Sequence, residues 1–396
     1  MCIAQDIDLS QKKILGVQAA DTLKTDTAKV VEVAALDIAQ NRGLFIVTPD
    51  KKMQMRILGS VRYLVVFDQM NLTSKDAFNT YEIPTGDLSV AIPNYYNGLD
   101  QTRLGFEVTR RSDNGDIFIR LETDFAGANG FRIRHAYGQY KNFLLGQTWS
   151  LFSHVNAASA MVDFAGPTGS VVTRNPQIRY SKSNIFAGHD LSLGMEYIIP
   201  NLEIPDSIGA NTFQLIPALS ARLDKVYLWG SFQLSGILPT VSGRDREGNL
   251  VLKPGWGVSS SVVINSWQKG KWYFQGVMGR EITRYFNDLG SNGLDILISP
   301  EGDVLAPLAY GYYATYEHYW KENLYSNFTY GLVHIEKYAF TEENTFLEGY
   351  TLRCNTFWDI AEGARVGAEA IWGKRIDKSN INGGALRGNL LFYYDF

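Results

Sequence analysis

No run of about 18 apolar residues occurs anywhere in this 396-residue chain, so a transmembrane helix is excluded. Cysteine is almost missing, with only Cys2 and Cys354 present. Cys354 falls on an apolar strand face, which argues against a disulfide between the two and against a zinc site. The 5 histidines are scattered without metal-ligand spacing, so neither a metal nor any other cofactor is expected. The net charge of −4 comes without a basic cluster, which excludes nucleic acid as a partner. Catalytic patterns are lacking too. Ser150 and Ser153 lie near His154, but nearness in sequence is not triad geometry, and no G-x-S-x-G occurs; an enzyme is not expected.

The N-terminus lacks a basic start and an apolar h-region. Met1-Cys2-Ile3-Ala4 before Gln5-Asp6 nevertheless looks like a signal-peptide remnant, with Cys2 and Ala4 at the −3 and −1 positions of a cleavage site. A truncated precursor or an added Met1 would account for it. Lipidation at Cys2 is the rival, but the residues that precede a lipobox cysteine are missing.

What the chain has instead is alternation. Charged residues make up 20% and mean hydropathy is −0.14, values that by themselves suggest a soluble protein. Met53, Met55, Ile57, Gly59, Val61, Tyr63, Val65 and Phe67 share one phase, whereas Gln54, Arg56, Ser60, Arg62 and Asp68 share the other. Leu104, Phe106 and Val108 oppose Arg103, Glu107 and Thr109; Ile117, Ile119 and Leu121 oppose Asp116, Arg120, Glu122 and Asp124. Phe131, Ile133 and Tyr137 oppose Arg132, Arg134 and Gly138, and His135 takes the outward phase, at an interface between subunits. Late in the chain, Leu352, Cys354, Thr356 and Trp358 oppose Arg353, Asn355 and Asp359. A period of two belongs to β-strands. Strands with an apolar face toward lipid and a polar face toward a lumen hide a membrane protein from hydropathy. The 22 Tyr, 21 Phe and 8 Trp suit interfacial girdles.

Connections alternate in length. Short turns are predicted near Asn114-Gly115, Lys141-Asn142, Asp224-Lys225, Lys269-Gly270, Glu322-Asn323 and Glu362-Gly363. Longer segments are predicted near 69–101, 151–175, 200–212, 239–254, 282–305, 335–346 and 374–384, with 126–130 a short exception on the long side. Short turns on one rim and long loops on the other characterise outer-membrane barrels. The fold class expected is therefore all-β: a transmembrane antiparallel β-barrel of about 16 strands, a size that leaves an aqueous channel. Residues 45–396 would form it. Residues 1–44 would be the signal remnant and a short periplasmic segment, with 10–40 reading as a weak amphipathic helix or helix pair. An edge strand of a soluble β-domain is the alternative for the final strand.

Two features resemble known proteins. Phe396, with Tyr394 and Phe392 before it, is similar to the insertion signal of bacterial outer-membrane barrels. Phe131-Arg132-Ile133-Arg134-His135-Ala136-Tyr137-Gly138, followed by Leu145-Gly146-Gln147-Thr148-Trp149-Ser150-Leu151-Phe152, resembles the DcaP-like trimeric porins, whose block reads R-x-R-x-A-Y, a short turn, then G-Q-T-W-S-x-F. Asp163–Gly169 and Arg174–Tyr180 resemble that family's third loop and its return to the wall. The resemblance implies a homotrimer in the bacterial outer membrane, an inward-folding third loop at about 151–175, and passive transport of small anionic organic solutes. It also implies an N-terminal coiled coil in several members, although residues 10–40 lack a sustained heptad repeat here.

A porin needs a water-filled lumen, a constriction and a selecting field. Arg103, Arg120, Arg132, Arg134 and Arg179 fall on polar strand faces, and Arg174 closes the segment expected to turn inward. Guanidinium stays charged and its fork matches carboxylate or phosphate. These six residues are the candidate anion guides. Glu107, Glu122 and Asp124 share the faces, so charge pairs that merely hold the wall are the competing reading. Asp163 would face the arginine wall across the pore or cap a turn. Arg365 and Arg387 would line the lumen, and Tyr310, Tyr312, Tyr316 and Trp320 would face lipid. A non-selective diffusion porin and a non-conducting surface adhesin remain as alternatives, and the residues name no particular solute.

Overall fold

In the computed structural model, residues 42–88, 90–198, 211–244, 250–266, 269–290, 292–301 and 303–396 are described. The expected signal remnant, the Cys2 reading and the helical reading of 10–40 all lie outside these residues.

Apolar residues alternating with polar ones give strands that pair into a closed antiparallel barrel of 16 strands. They are β1 Met53–Asp68, β2 in two pieces (Asn94–Gly98 and Arg103–Arg110), β3 Ile117–Asp124 and β4 Arg132–Tyr140. Next come β5 Phe143–Trp149, β6 Arg174–Phe186, β7 His189–Glu196 and β8 Ala218–Tyr227. The wall continues through β9 Gly230–Leu238, β10 Trp256–Ser266, β11 Gly270–Arg280 and β12 Leu308–Lys321. It ends with β13 Leu324–Ile335, β14 Phe346–Ala361, β15 Ala364–Asp377 and β16 Asn382–Asp395. Each strand pairs with the next, and β16 closes on β1 with Ser60 opposite Asp395 and Asp68 opposite Arg387. Gly59 and Phe396 exchange backbone hydrogen bonds of 3.2 and 3.0 Å at the seam. The short strand Leu44–Val47 pairs with Gln54–Ile57 on that same side of β1, carrying on the column below Phe396.

The phases fall as the alternation predicts on most strands. On β1, Val61 and Phe67 are exposed while Arg56, Ser60, Arg62 and Asp68 are buried. Register is enforced because a slip of one residue would turn every guanidinium toward lipid, at about 2–4 kcal/mol for each one near the bilayer midplane.

Some connections differ from the sequence reading. The strand expected to stop at Asp224-Lys225 runs on to Tyr227, and the turn is Leu228-Trp229. Asp224 is not a turn residue: it receives Arg222 Nε at 2.7 Å along the strand. A turn made of Leu and Trp carries no compositional signal, so the polar pair nearby misled. The segment 374–384 shrinks to a hairpin in which Asp377 N–H reaches the Ile381 carbonyl at 2.9 Å. The segment 69–101 contains the first piece of β2.

The interior is not an empty cylinder. Residues 69–88, 150–173, 281–290 and 292–299 enter it and build apolar clusters against the wall. Phe152, Val171, Ile282, Tyr285, Phe286 and Leu289 pack with Val277, Ala309 and Val333. Ala160 and Val162 pack with Tyr325, Phe357 and Leu391, while Met70, Phe78 and Ile83 pack on Ile371 and Ala385.

Glu281, where β11 passes into the third of these segments, holds a left-handed backbone at φ 61°. Such a conformation is strained for a residue with a side chain. It is fully buried, and that burial pushes its carboxyl up to about 8, with Arg284 and Lys253 opposing and Asp295 adding to the rise. The folded chain therefore keeps a proton that the unfolded chain releases above about 4.5. The stability so gained is complete below that value and is lost as pH rises toward 8. Glu281→Gln should flatten this part of the pH dependence, becoming the more stable chain at about pH 9 relative to about pH 5 in urea unfolding from lipid vesicles. An unchanged slope would show that Glu281 is not buried in the folded chain.

Candidate functional site: a charged lumen beside an inward segment

Segment 150–173 is held to the wall strand by strand. His154 Nδ1 meets Ser261 Oγ on β10. Tyr313 Oη of β12 donates to the Ala157 carbonyl at 3.1 Å. Asn327 of β13 and Asn355 of β14 both donate to the Ala160 carbonyl at 3.1 Å. Glu369 of β15 accepts the N–H groups of Val162 and Asp163, each at 2.7 Å. The chain then doubles back, with Thr351 Oγ1 donating to Thr168 Oγ1 at 3.0 Å and Val171 N–H donating to Gln275 Oε1 at 3.1 Å.

Glycine makes this approach possible. A Cβ on Gly169 (φ +79°) would lie 2.1 Å from the Leu332 carbonyl oxygen, and one on Gly331 would lie 2.3 Å from that of Thr168. Neither position accepts a side chain without displacing the segment from the wall.

The opposite wall, β1 to β4, carries the arginines. Arg56 pairs with Glu107 at 2.9 Å, and Arg120 lies 3.6 Å from the same carboxylate. Arg134 reaches Glu122 and Asp124, both at 2.9 Å, and Arg103 stands 3.8 Å from Glu122. Arg120 also binds Glu122. Arg132 grips Asp124 with two bonds, 3.0 and 2.7 Å. Asp395 lies among Arg62 and Arg103 at the seam. Among the described residues of β1 to β4, six inward guanidinium groups stand with the four carboxylates Asp68, Glu107, Glu122 and Asp124, and Asp395 of β16 joins them at the seam. Arg132 is the accessible member, with 34% of its side chain exposed against 3% for Arg134.

The structure brings Arg103, Arg120, Arg132 and Arg134 together. Arg174 sits at their edge: its guanidinium lies 4.4 Å from the Trp149 ring centre, and Arg134, Arg132 and Arg103 are its strongest charged neighbours. Its phase on β6 is opposite to that of the buried Asn175, Gln177 and Arg179. Arg179 stands apart, donating to Gln177 Oε1 at 3.1 Å and to the Trp149 carbonyl at 2.5 Å.

Asp163 is neutralised on the far side of the lumen. Arg353 Nη1 lies 3.4 Å from one oxygen and Arg387 Nη1 lies 3.5 Å from the other. It also accepts the N–H groups of Phe78 at 3.0 Å and Ala165 at 3.1 Å, which is turn capping. The residue that does meet the arginines is its neighbour Phe164, whose ring lies 5.1 Å from Arg132 and 5.9 Å from Arg134. Arg387 is buried and bound twice to Asp68, at 2.6 and 2.7 Å, while Arg365 is paired with Asp359 among the rings of Tyr325, Phe357 and Tyr393.

His135 is a correction. It is buried, with Nδ1 3.0 Å from Thr148 Oγ1 and its ring edge-on to Trp149 at 5.6 Å. The register shifts between β3 and β4, where Glu122 pairs with His135 and Thr123 with Ile133, leaving Arg134 as an extra residue. A bulge of this kind reverses the phase beyond it. Tyr137 accordingly packs on the buried Phe118, with ring centres 6.0 Å apart. Sequence gives no signal for the bulge except two adjacent residues, Arg134 and His135, that both suit a polar face.

A family model described as the DcaP outer membrane protein matches residues 17–212. No curated protein matches the chain. Among solved structures, the outer membrane channel DcaP of Acinetobacter baumannii is similar with a TM-score of 0.79 and 22% identity, over 89% of this chain and 99% of that one. The anion-selective porin from Comamonas acidovorans gives a TM-score of 0.60 at 12% identity, over 87% and 100%. OmpF of Salmonella typhi, in complex with daunomycin, gives 0.56 at 10% identity, over 89% and 100%. At these identities the likeness establishes the fold.

Removing one partner from a buried ion pair leaves an uncompensated charge, which costs about 3–5 kcal/mol. Arg387→Met strands Asp68 and takes one of its two guanidinium partners from Asp163, and a loss of about that size is expected in urea unfolding from lipid vesicles. A loss below about 1 kcal/mol would mean that water screens the pair as it does at a surface.

Proposed function

The chain belongs to the DcaP outer membrane protein family, and on that premise we propose that this outer-membrane channel passes small polar solutes passively and favours anionic organic ones. It does so as a homotrimer embedded in outer-membrane lipid, the assembly that the family resemblance implies. The observation that carries the preference is the imbalance across the lumen. Inward arginines outnumber carboxylates on β1 to β4, and the only acid of segment 150–173, Asp163, is already matched by Arg353 and Arg387.

An unbalanced row of fixed cations beside a narrow aqueous path raises the local concentration of anions and lowers that of cations. Arg132 is the group best able to meet a solute, because its guanidinium is partly open to the lumen while Asp124 fixes its orientation. Arg134, held by two carboxylates, sets the background field and keeps Asp124 in place. A carboxylate solute would exchange water for the exposed edge of the Arg132 fork and pass on. The anion-selective porin of Comamonas acidovorans shares the fold, which is consistent with this reading.

Planar-bilayer recordings under a salt gradient test it. The parent chain should give a reversal potential of anion-selective sign, and Arg132→Ala/Arg134→Ala should lose most of it while continuing to conduct. Conductance with no selectivity in the parent would favour general diffusion and remove the arginine filter. Folded protein that never conducts would overturn the channel itself in favour of an adhesin or structural barrel.

A further inference from the structure

Segment 165–172 has little of its own to keep it in place. Ala165-Gly166-Pro167-Thr168-Gly169-Ser170 is small and polar, and Gly166 and Gly169 both have left-handed backbones, φ 76° and 79°. A stretch of this composition gains little from burial and loses much conformational entropy on ordering. Its order must come from what it touches.

What it touches most is the β11–β12 connection. Asp288, fully buried, accepts the N–H of Gly169 at 3.3 Å and the hydroxyl of Thr168 at 3.2 Å. The same carboxylate accepts the N–H and the hydroxyl of Thr80, at 3.0 and 2.9 Å, so that all three inward segments meet on one side chain. Asn287 directs its side-chain amide at the carbonyls of Ala165 and Pro167 and at Ser170 Oγ. Its backbone N–H donates to the Ser170 carbonyl at 3.1 Å, and Val172 N–H donates to the Tyr285 carbonyl at 3.1 Å. Val171 and Phe286 form a bridge between them. One carboxyl group here serves four donors from two other segments.

We propose that residues 285–288, through Asp288 and Asn287, are the positioning element of the channel's narrowest section, holding segment 163–172 at the distance from the arginine wall that sets its width. The proposal rests on the reading of segment 150–173 as the part that narrows the lumen. Asp288 touches no solute; it acts through Thr168, Gly169 and Thr80. The wall bond between Thr351 and Thr168 and the bond from Val171 to Gln275 survive without it, so losing the clamp should loosen the segment rather than unfold the barrel.

The test uses the full chain in planar bilayers, in a background where Cys2 and Cys354 are replaced by Ala. Asp288→Ala should raise conductance and increase open-channel current noise severalfold. Adding Thr168→Cys/Thr351→Cys, at positions whose hydroxyl oxygens lie 3.0 Å apart, should reverse both changes on oxidation and restore them on reduction. Should Asp288→Ala fail to fold, as judged by heat-modifiable mobility in gels, Asn287→Ala carries the same expectation without stranding buried donors on a missing charge. A clamp variant as quiet as the parent, beside a chain shortened by residues 156–166 that conducts more, would overturn the clamp and leave the narrowing role of 150–173 standing. A shortened, folded chain that conducts like the parent would overturn that role and the proposal together. Noise that persists after cross-linking would place the loosening elsewhere and also overturn it.

Discussion

In hydrocarbon an unpaired backbone amide has no water to accept its hydrogen, and that constraint organises this molecule. A strand can cross only if both edges are paired, so the sheet must close. Here the last edge is met by β1, with Ser60–Asp68 zipped to Arg387–Asp395 and Phe396 bonded to Gly59. Once the sheet is closed, the alternation of side chains has nowhere to go but lipid on one side and an enclosed space on the other. The polar residues that dilute the hydropathy of the sequence are the contents of that space.

The enclosed space in turn permits what lipid forbids. Irregular backbone is tolerated at membrane depth only where protein or water can satisfy it. Segment 150–173 has its amides and carbonyls taken up by side chains that point inward from successive strands, Tyr313, Asn327, Asn355 and Glu369 among them. The inner face of β10 to β15 is thus a bed for this segment, and the inner face of β1 to β4 is left to the arginines. Charge follows the same division. The acid of the segment and the acid of β1 are both matched by Arg387, while the inward guanidinium groups of β2 to β4 gather around Glu107, Glu122 and Asp124. The asymmetry of the lumen is a consequence of where the segment lies.

Much of this is legible in the residues, and the failures have physical causes. Strict alternation placed Arg56, Arg103, Arg120 and Arg132 on the inner face because period two is the geometry of a strand. The same rule misplaced His135 and Tyr137, since a single extra residue at Arg134 reverses the phase and a bulge has no required composition. The turn at Leu228-Trp229 escaped because two exposed apolar residues look like strand, while Asp224, ion-paired to Arg222, looks like a turn. The segment near 282–305 was legible as a long connection, yet nothing in Phe286-Asn287-Asp288 says that it folds inward and meets Thr80 and Thr168.

The chain by itself determined a barrel: alternation, the order of short and long connections, and the aromatic end of the last strand are local properties, and each strand declares its two faces through its own residues. Which charges meet across the lumen was decided only by tertiary structure. Asp163 and Arg387 are separated by more than half the chain, and no local pattern says that they touch, or that Phe164 rather than Asp163 meets Arg132 and Arg134. Pairing across a lumen depends on how far an inward segment reaches and where it is tethered. Those distances come from the closed sheet and from buried groups such as Asp288, not from any residue's neighbours in sequence.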